Sequence, residues 1–330
     1  MRVRYFITFL SIMLPASLCM AQQTYRYRHA VDDPLGRQKS QVLEIRDNYV
    51  VRGTLVDEDL MINLLQSGIK RLSGLSDPNQ AWRRYLHEGD TIAIVFNRRA
   101  TRGLSTNTAF ADALLQCLYR AGFKPEQFLI YGLDELGPNA GEVQRCAYGW
   151  QTEKTDFGSN ADYLAQWLED VTAIINVPTF MEDNILGLRG TLANVTLPLV
   201  KSPSQMAHVR AGGDPFVADI YDLPQIQGKI RLTIANALHV LYAGGPVIDR
   251  RYVFERRSAL FCDDPVALDR VGLGIINIYR QSEQMPPHAE AKISAGYLLT
   301  AEAMGLGYYD LNRIDYHIFG PDKLGDTSQP

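Results

Sequence analysis

Cysteine, histidine and positive charge are all scarce in this chain: 330 residues carry four Cys and six His, and 33 Lys and Arg face 37 Asp and Glu. Each shortage removes a class of function. The three cysteines beyond the first twenty residues, Cys117, Cys146 and Cys262, are too few and too scattered for an iron-sulfur cluster or a structural zinc site, so no iron-sulfur cluster is expected. A net charge of −4 disfavours nucleic acid and anionic lipid as main partners, because both require a basic face. The patterns G-x-x-x-x-G-K-[ST], G-x-S-x-G, H-E-x-x-H and C-x-x-C are all missing. "GLGIIN" at 272–277 lacks a third glycine and a preceding strand, so it is no nucleotide fingerprint.

What is present is a globular composition, 46% hydrophobic and 21% charged. The first residues stand apart. "MRVRYFITFLSIMLPASLCMAQQ" places Arg2 and Arg4 before an apolar run from Tyr5 to Leu18, with a small residue at Ala21. That reads as a Sec-type secretory signal peptide over 1–21, and the run is short for a transmembrane anchor. The expectation is export to a periplasmic or extracellular location, with no stable membrane association after cleavage. Because Arg-Val-Arg is not a twin-arginine pair, the chain is expected to cross unfolded, without a cofactor inserted beforehand; the sequence names no cofactor. Cleavage removes two of the 33 basic residues and leaves 31 against 37 acidic ones, net −6. The odd number of remaining cysteines leaves at least one thiol free, and Cys117 fits, since it lies on the apolar face of a helix.

Residues 22–41 have no hydrophobic period, and an extended amino-terminal arm is expected over 22–55. Leu60, Met61, Leu64, Leu65, Ile69 and Leu72 then mark one face of a helix that Gly74 ends. "DTIAIVF" at 90–96 has strand length, and Phe110, Ala113, Leu114, Cys117, Leu118 and Ala121 repeat at helical spacing, with Ser105 or Thr106 at the start and Gly122 at the end. "FLIYG" at 128–132 completes a βαβ unit and implies a parallel pair. Further on, the pattern predicts a helix at 160–168, a strand in "AIINVP", a long loop or cover at 184–215, strands in "KIRLTIANALHVLY" and "RYVFERRSALFC", and a helix opened by Asp264 and Pro265. A last helix carries Tyr297 and Ala301, and "RIDYHIF" is a short terminal strand. Alternating strands and helices imply α/β: a single domain over 56–320 with a mixed, mostly parallel sheet flanked by helices, followed by a disordered tail at 321–330.

Few motifs carry chemistry, and each has a plain structural reading beside the functional one. "NRRATRGLSTN" joins a strand end to a helix start, where Arg98, Arg99 and Arg102 could meet an anion or simply face water. Asp263 and Asp264 before Pro265 are ordinary helix punctuation, or paired carboxylates for a hard cation. His208 in the long loop and His239 in a strand are satisfied polar groups or ligands. "NVT" at 194–196 is a glycosylation sequon in form. "NVPTFMEDN" at 176–184 ends a strand in polar residues, where open α/β sheets hold ligands.

Taken together, the segments "AWRRYLHEGDTIAIVFN", "GLSTN", "AIINVP", "LANVTLP", "DPFVADIYDLP", "KIRLTIANAL", "AGGP" and "DDPVALDRVG" resemble, in order and spacing, the family known as domain of unknown function 362, from about Leu60 to Gly307. The resemblance implies a single α/β domain, often exported, with no settled activity. Some members add a ferredoxin-like module, for which this chain has neither room nor cysteines. Asn97, Asn194, His208, Gly244, Gly245 and Asp264 match the family pattern. Val95 or Phe96, Met181, Asp183 and Ala193 stand where it usually has Lys, Lys, His and Lys, and Asn236 replaces an acid. Those losses suggest a crevice that no longer favours a strongly anionic ligand, with Asp183 turning it toward cations. The expected function is binding of a small molecule or ion in a crevice at the strand C-terminal ends, as a degenerate enzyme or a binding protein, through Asn97, Arg98, Asn176, Asp183, Asn194, His208, Asn236, Gly244, Gly245 and Asp264. The alternative is a divalent-cation-dependent hydrolase or oxidoreductase, with His208 as general base and Asp183, Asp263 and Asp264 as metal candidates.

Overall fold

The computed structural model describes residues 30–32, 38–104, 106–203, 211–290 and 295–320. The expected signal peptide over 1–21, Ser105, His208 and residues 321–330 lie outside them. Among the described residues fifteen strands run in chain order: β1 Ala30–Asp32, β2 Gln38–Arg46, β3 Val51–Arg52, β4 Leu55–Val56, β5 Ile92–Phe96, β6 Phe128–Tyr131, β7 Gln144–Arg145, β8 Trp150–Asp156, β9 Ala161–Ala165, β10 Ala173–Val177, β11 Met181–Asp183, β12 Gly187–Arg189, β13 Ile230–Leu241, β14 Val253–Cys262 and β15 Ile314–Phe319. The α-helices are α1 Glu58–Ser73, α2 Pro78–Arg83, α3 Arg98–Leu104, α4 Asn107–Arg120, α5 Thr191–Thr196, α6 Phe216–Tyr221, α7 Pro224–Gln227, α8 Pro265–Ser282 and α9 Tyr297–Ala303.

An 11-stranded sheet of order β1-β2-β14-β13-β10-β5-β6-β7, with β11, β12 and β15 off that path, forms the centre. The β13–β10–β5–β6–β7 run is parallel, and β14, β2 and β1 add antiparallel pairings, so the sheet is mixed and mostly parallel. Side chains alternate across it: Ile92, Ile94 and Phe96 of β5 join the core beneath α1, α2 and α4, whereas Ala93 and Val95 face the opposite layer, with α5, α6 and α9. With both faces covered, β5 and β10 are buried end to end, which is why they read as continuous apolar runs.

Helix α1 starts where the Asp57 carboxylate accepts the Leu60 N–H at 3.0 Å and stops at Gly74, whose φ of +74° is left-handed. Its Gly68 is required by proximity, since a Cβ there would fall 2.1 Å from the Phe261 ring of β14. Helix α4 buries the six residues that the spacing picked out.

Two expectations are corrected. Residues 160–168 are not a helix: β9 pairs antiparallel with β8, and only Gln166–Leu168 turn, as one 3-10 turn. Leu164, Trp167 and Leu168 have helical spacing, but the Asp162 carboxylate accepts the Ser202 N–H at 2.7 Å and the strand pairing outweighs local propensity. The described part of the amino-terminal arm is not free either. β2 lies between β14 and β15, with Leu43 and Ile45 in one core and Val42 in another, and β3 and β4 form a small hairpin. Buried Glu44 interrupts the apolar pattern of β2 and hid the strand.

Candidate functional site

From β5 the chain crosses through α4 to β6 on one side, then returns to β10 on the other, so the connections diverge at the carboxyl ends of β5 and β10. Open α/β sheets leave a crevice at such a point. A cleft of about 360 Å³ lies there. Phe96, Asn97, Arg98 and Arg99 come from the β5–α3 junction, Tyr131 from the end of β6, and Trp150 from the start of β8. Ile185 and Arg189 arrive on the β11–β12 hairpin, Ala193 and Asn194 on α5, Leu197, Pro198, Val200, Lys201 and Pro203 just after it, and Pro246 from the β13–β14 connection.

Asparagines stitch the floor. Asn194 donates its side-chain N–H to Val95 O at 3.0 Å and to Asn176 Oδ1 at 2.7 Å, and Asn176 donates to Thr191 O at 2.9 Å. The Asn97 amide oxygen accepts the N–H groups of Arg99 and Ala100, which starts α3 and aims both arginines at the opening. Asn236 is fully buried and donates to Asn107 Oδ1 at 2.7 Å. Of the residues singled out in the sequence, Asn97, Arg98 and Asn194 line the cleft, while Asn176 and Asn236 hold its supporting layer. Since the Asn194 amide is buried and doubly bonded, the 194–196 sequon offers no acceptor in the folded chain.

Gly244 and Gly245 act one step behind the wall. Gly245 donates its N–H to Glu182 Oε2 at 2.7 Å, and a Cβ there would fall 1.7 Å from the Glu182 carbonyl oxygen. That approach sets Pro246 in the lining.

Asp183 does not turn the cleft toward cations. It is fully buried, its Oδ1 accepts the N–H groups of Ile185 and Leu186 at 2.8 and 3.0 Å, and its Oδ2 is engaged by Arg189 Nε. Asp264 lies elsewhere. Met181 is level with Leu241 of β13, and Cys262 with Thr233, so Asp183 and Asp264 flank registers roughly 25 Å apart along the strand. Asp264 starts α8, accepting the Val266 and Ala267 N–H groups on Oδ1 and the Ser40 hydroxyl and Tyr308 N–H on Oδ2. Burial pushes its carboxyl up to about 6 despite these donors. Asp183, Asp263 and Asp264 therefore do not gather, and among the described residues no group of three or more His, Cys, Asp or Glu side chains could hold a metal ion. Cys117, Cys146 and Cys262 are free thiols. No described helix is long and apolar enough to cross a membrane.

The sequence reading passed over Arg189, Lys201, Tyr131 and Trp150, which bring charge and aromatic surface to the cleft. Arg189 and Lys201 sit in segments without period or motif, so only the fold brings them to Arg98 and Arg99. The lining therefore carries four cationic side chains and, among the described residues, no carboxylate. Burial, then repulsion by Arg189, holds the Arg99 guanidinium below its usual range, with Asp183 partly offsetting both.

Residues 150–274 match the family described as Domain of unknown function (DUF362). Over this stretch the chain is similar to that family. The match is narrower than the 60–307 suggested by the motifs; it contains β8 to the first half of α8, and so supplies Arg189, Asn194 and Lys201 to the cleft, while Asn97, Arg98, Arg99 and Tyr131 come from before it. No curated protein matches the chain.

Proposed function

We propose that this DUF362-like protein binds a small molecule in the cleft at the ends of β5, β6 and β10, and does so outside the cytoplasm after loss of residues 1–21. The observation that carries the binding reading is the cleft's place: a cavity of about 360 Å³ where the crossovers diverge, walled by five separate stretches of chain. Enclosures of that size take small ligands. The described lining is rich in guanidinium, amide and aromatic groups, which suit it to holding and orienting a ligand. His208 follows the lining residue Pro203 closely in sequence but lies outside the described residues. Export is supported by Arg2 and Arg4 ahead of the apolar run to Leu18.

The cleft is tested by Ile185→Trp, which adds a large ring at a half-buried lining position. Ligands retained on native purification, seen by mass spectrometry, should be lost from this variant; unchanged retention would place the binding elsewhere. Amino-terminal sequencing of the exported protein should begin at Gln22, and Met1 would refute cleavage.

A further inference from the structure

We infer that the ligand is an amphipathic organic anion, a carboxylate or phosphate ester on an apolar body, with its charged end seated between Arg99 and Arg189. This rests on the binding reading above and adds the ligand's chemistry. Arg99 and Arg189 face the same space, and the one carboxylate beside them, Asp183, is already saturated by two backbone N–H groups and Arg189 Nε. Among the described residues, Arg99 makes one hydrogen bond, from Nη1 to Pro246 O at 3.5 Å, too long to satisfy it. Arg98 reaches Asp134 at only 3.9 Å, and Arg102 takes that carboxylate at 2.9 Å. The cleft thus holds unmatched positive charge among its lining residues. A guanidinium pair of this kind grips a carboxylate or phosphate through several charge-assisted hydrogen bonds.

The rest of the wall is apolar or aromatic: Tyr131, Trp150, Ile185, Leu197, Pro198 and Val200. A bare inorganic ion would leave that surface in water, and a neutral apolar molecule would strip water from two arginines without replacing it. One ligand with both an anionic end and an apolar body satisfies both halves.

The test uses the full mature chain, its Arg99→Gln and Ile185→Trp variants, and five probes at fixed ionic strength: phenyl phosphate, phenylacetate, inorganic phosphate, benzyl alcohol and benzylamine. Thermal shift against concentration gives a Kd for each. Phenyl phosphate, phenylacetate or both should bind at least tenfold more tightly than the other three, and the tighter of the two identifies the head group. Arg99→Gln should weaken that binding about tenfold, the loss of one charge-assisted contact, and Ile185→Trp should abolish it. If benzyl alcohol or benzylamine binds as tightly as the anions and Ile185→Trp abolishes it, the anion inference falls while the cleft reading stands. If aromatic anions bind equally to all three proteins, they bind elsewhere and both readings fall. Absence of any shift by the two aromatic anions at millimolar concentration overturns the inference.

Discussion

Two places in this molecule set one buried acid beside two arginines, and they put the trio to opposite uses. In the β2–β14–β15 part of the sheet, Glu44 is fully buried and takes both partners bidentately, Arg256 at 2.8 and 2.9 Å and Arg46 at 2.8 and 3.2 Å, with the Tyr316 hydroxyl also donating to it. In the cleft, Asp183 serves two amides and one arginine and leaves Arg99 unmatched. Composition is shared; saturation differs. A saturated trio holds strands together, whereas an unsaturated one leaves donors for something that arrives from outside.

Removing the acid from the saturated trio is the harshest way to break the comparison. Glu44→Gln leaves Arg256 and Arg46 without counter-charge and should cost about 3–5 kcal/mol in denaturant unfolding. A loss below 1 kcal/mol would show the network to be as dispensable as an exposed pair.

Acid should act through the same residue. Burial alone would raise the Glu44 carboxyl, but pairing with Arg256 and then Arg46 more than offsets this and holds it at about 2, against 4.5 for a free glutamate. A depressed folded-state value means that the stabilisation is complete above pH 4.5 and is lost as pH falls toward 2. The loss should approach about 3 kcal/mol, and Glu44→Gln should flatten that part of the pH–stability curve. An unchanged acid slope in the variant would assign it to other groups.

Asp264→Ala sharpens the distinction between structural and binding acids. It strands three backbone N–H groups and the Ser40 hydroxyl and should cost about 2 kcal/mol. Probe affinity in the cleft should not change, because Asp264 is not part of the cleft lining and its carboxylate is engaged by the start of α8, Ser40 and Tyr308. A parallel fall in affinity would join Asp264 to the site.

The smallest effect runs the other way. Arg99→Gln relieves repulsion with Arg189, so the unliganded variant should be more stable than the wild type by a few tenths of a kcal/mol, read as a small rise in Tm. A clear fall would mean that Arg99 is a structural cation after all.

Much of the frame was legible. The period of Leu60 to Leu72 and of Phe110 to Ala121 reports which side of each helix is apolar, and "IAIVF" and "AIINV" are uninterrupted because β5 and β10 are covered on both faces. Failures came where a polar side chain found an inward partner. Glu44 disguised β2, and a turn of helical spacing at Leu164, Trp167 and Leu168 disguised β9. The asparagines of the site were visible as residue types, but their role was not: Asn97, Asn176, Asn194 and Asn236 brace the ends of the strands through hydrogen bonds that join residues up to 130 positions apart.

The sequence by itself determined the layers, because an apolar stripe must be buried whatever its neighbours, and its spacing along the chain states how. It also determined that the carboxyl ends of β5 and β10 would be the place to look. Only the tertiary structure decided the sign of that place. Whether an arginine is matched depends on which carboxylate lies within about 4 Å of it. Asp183 is engaged by Arg189 on its own hairpin, while Arg99 arrives from a strand end 84 positions earlier than that acid and finds it already occupied.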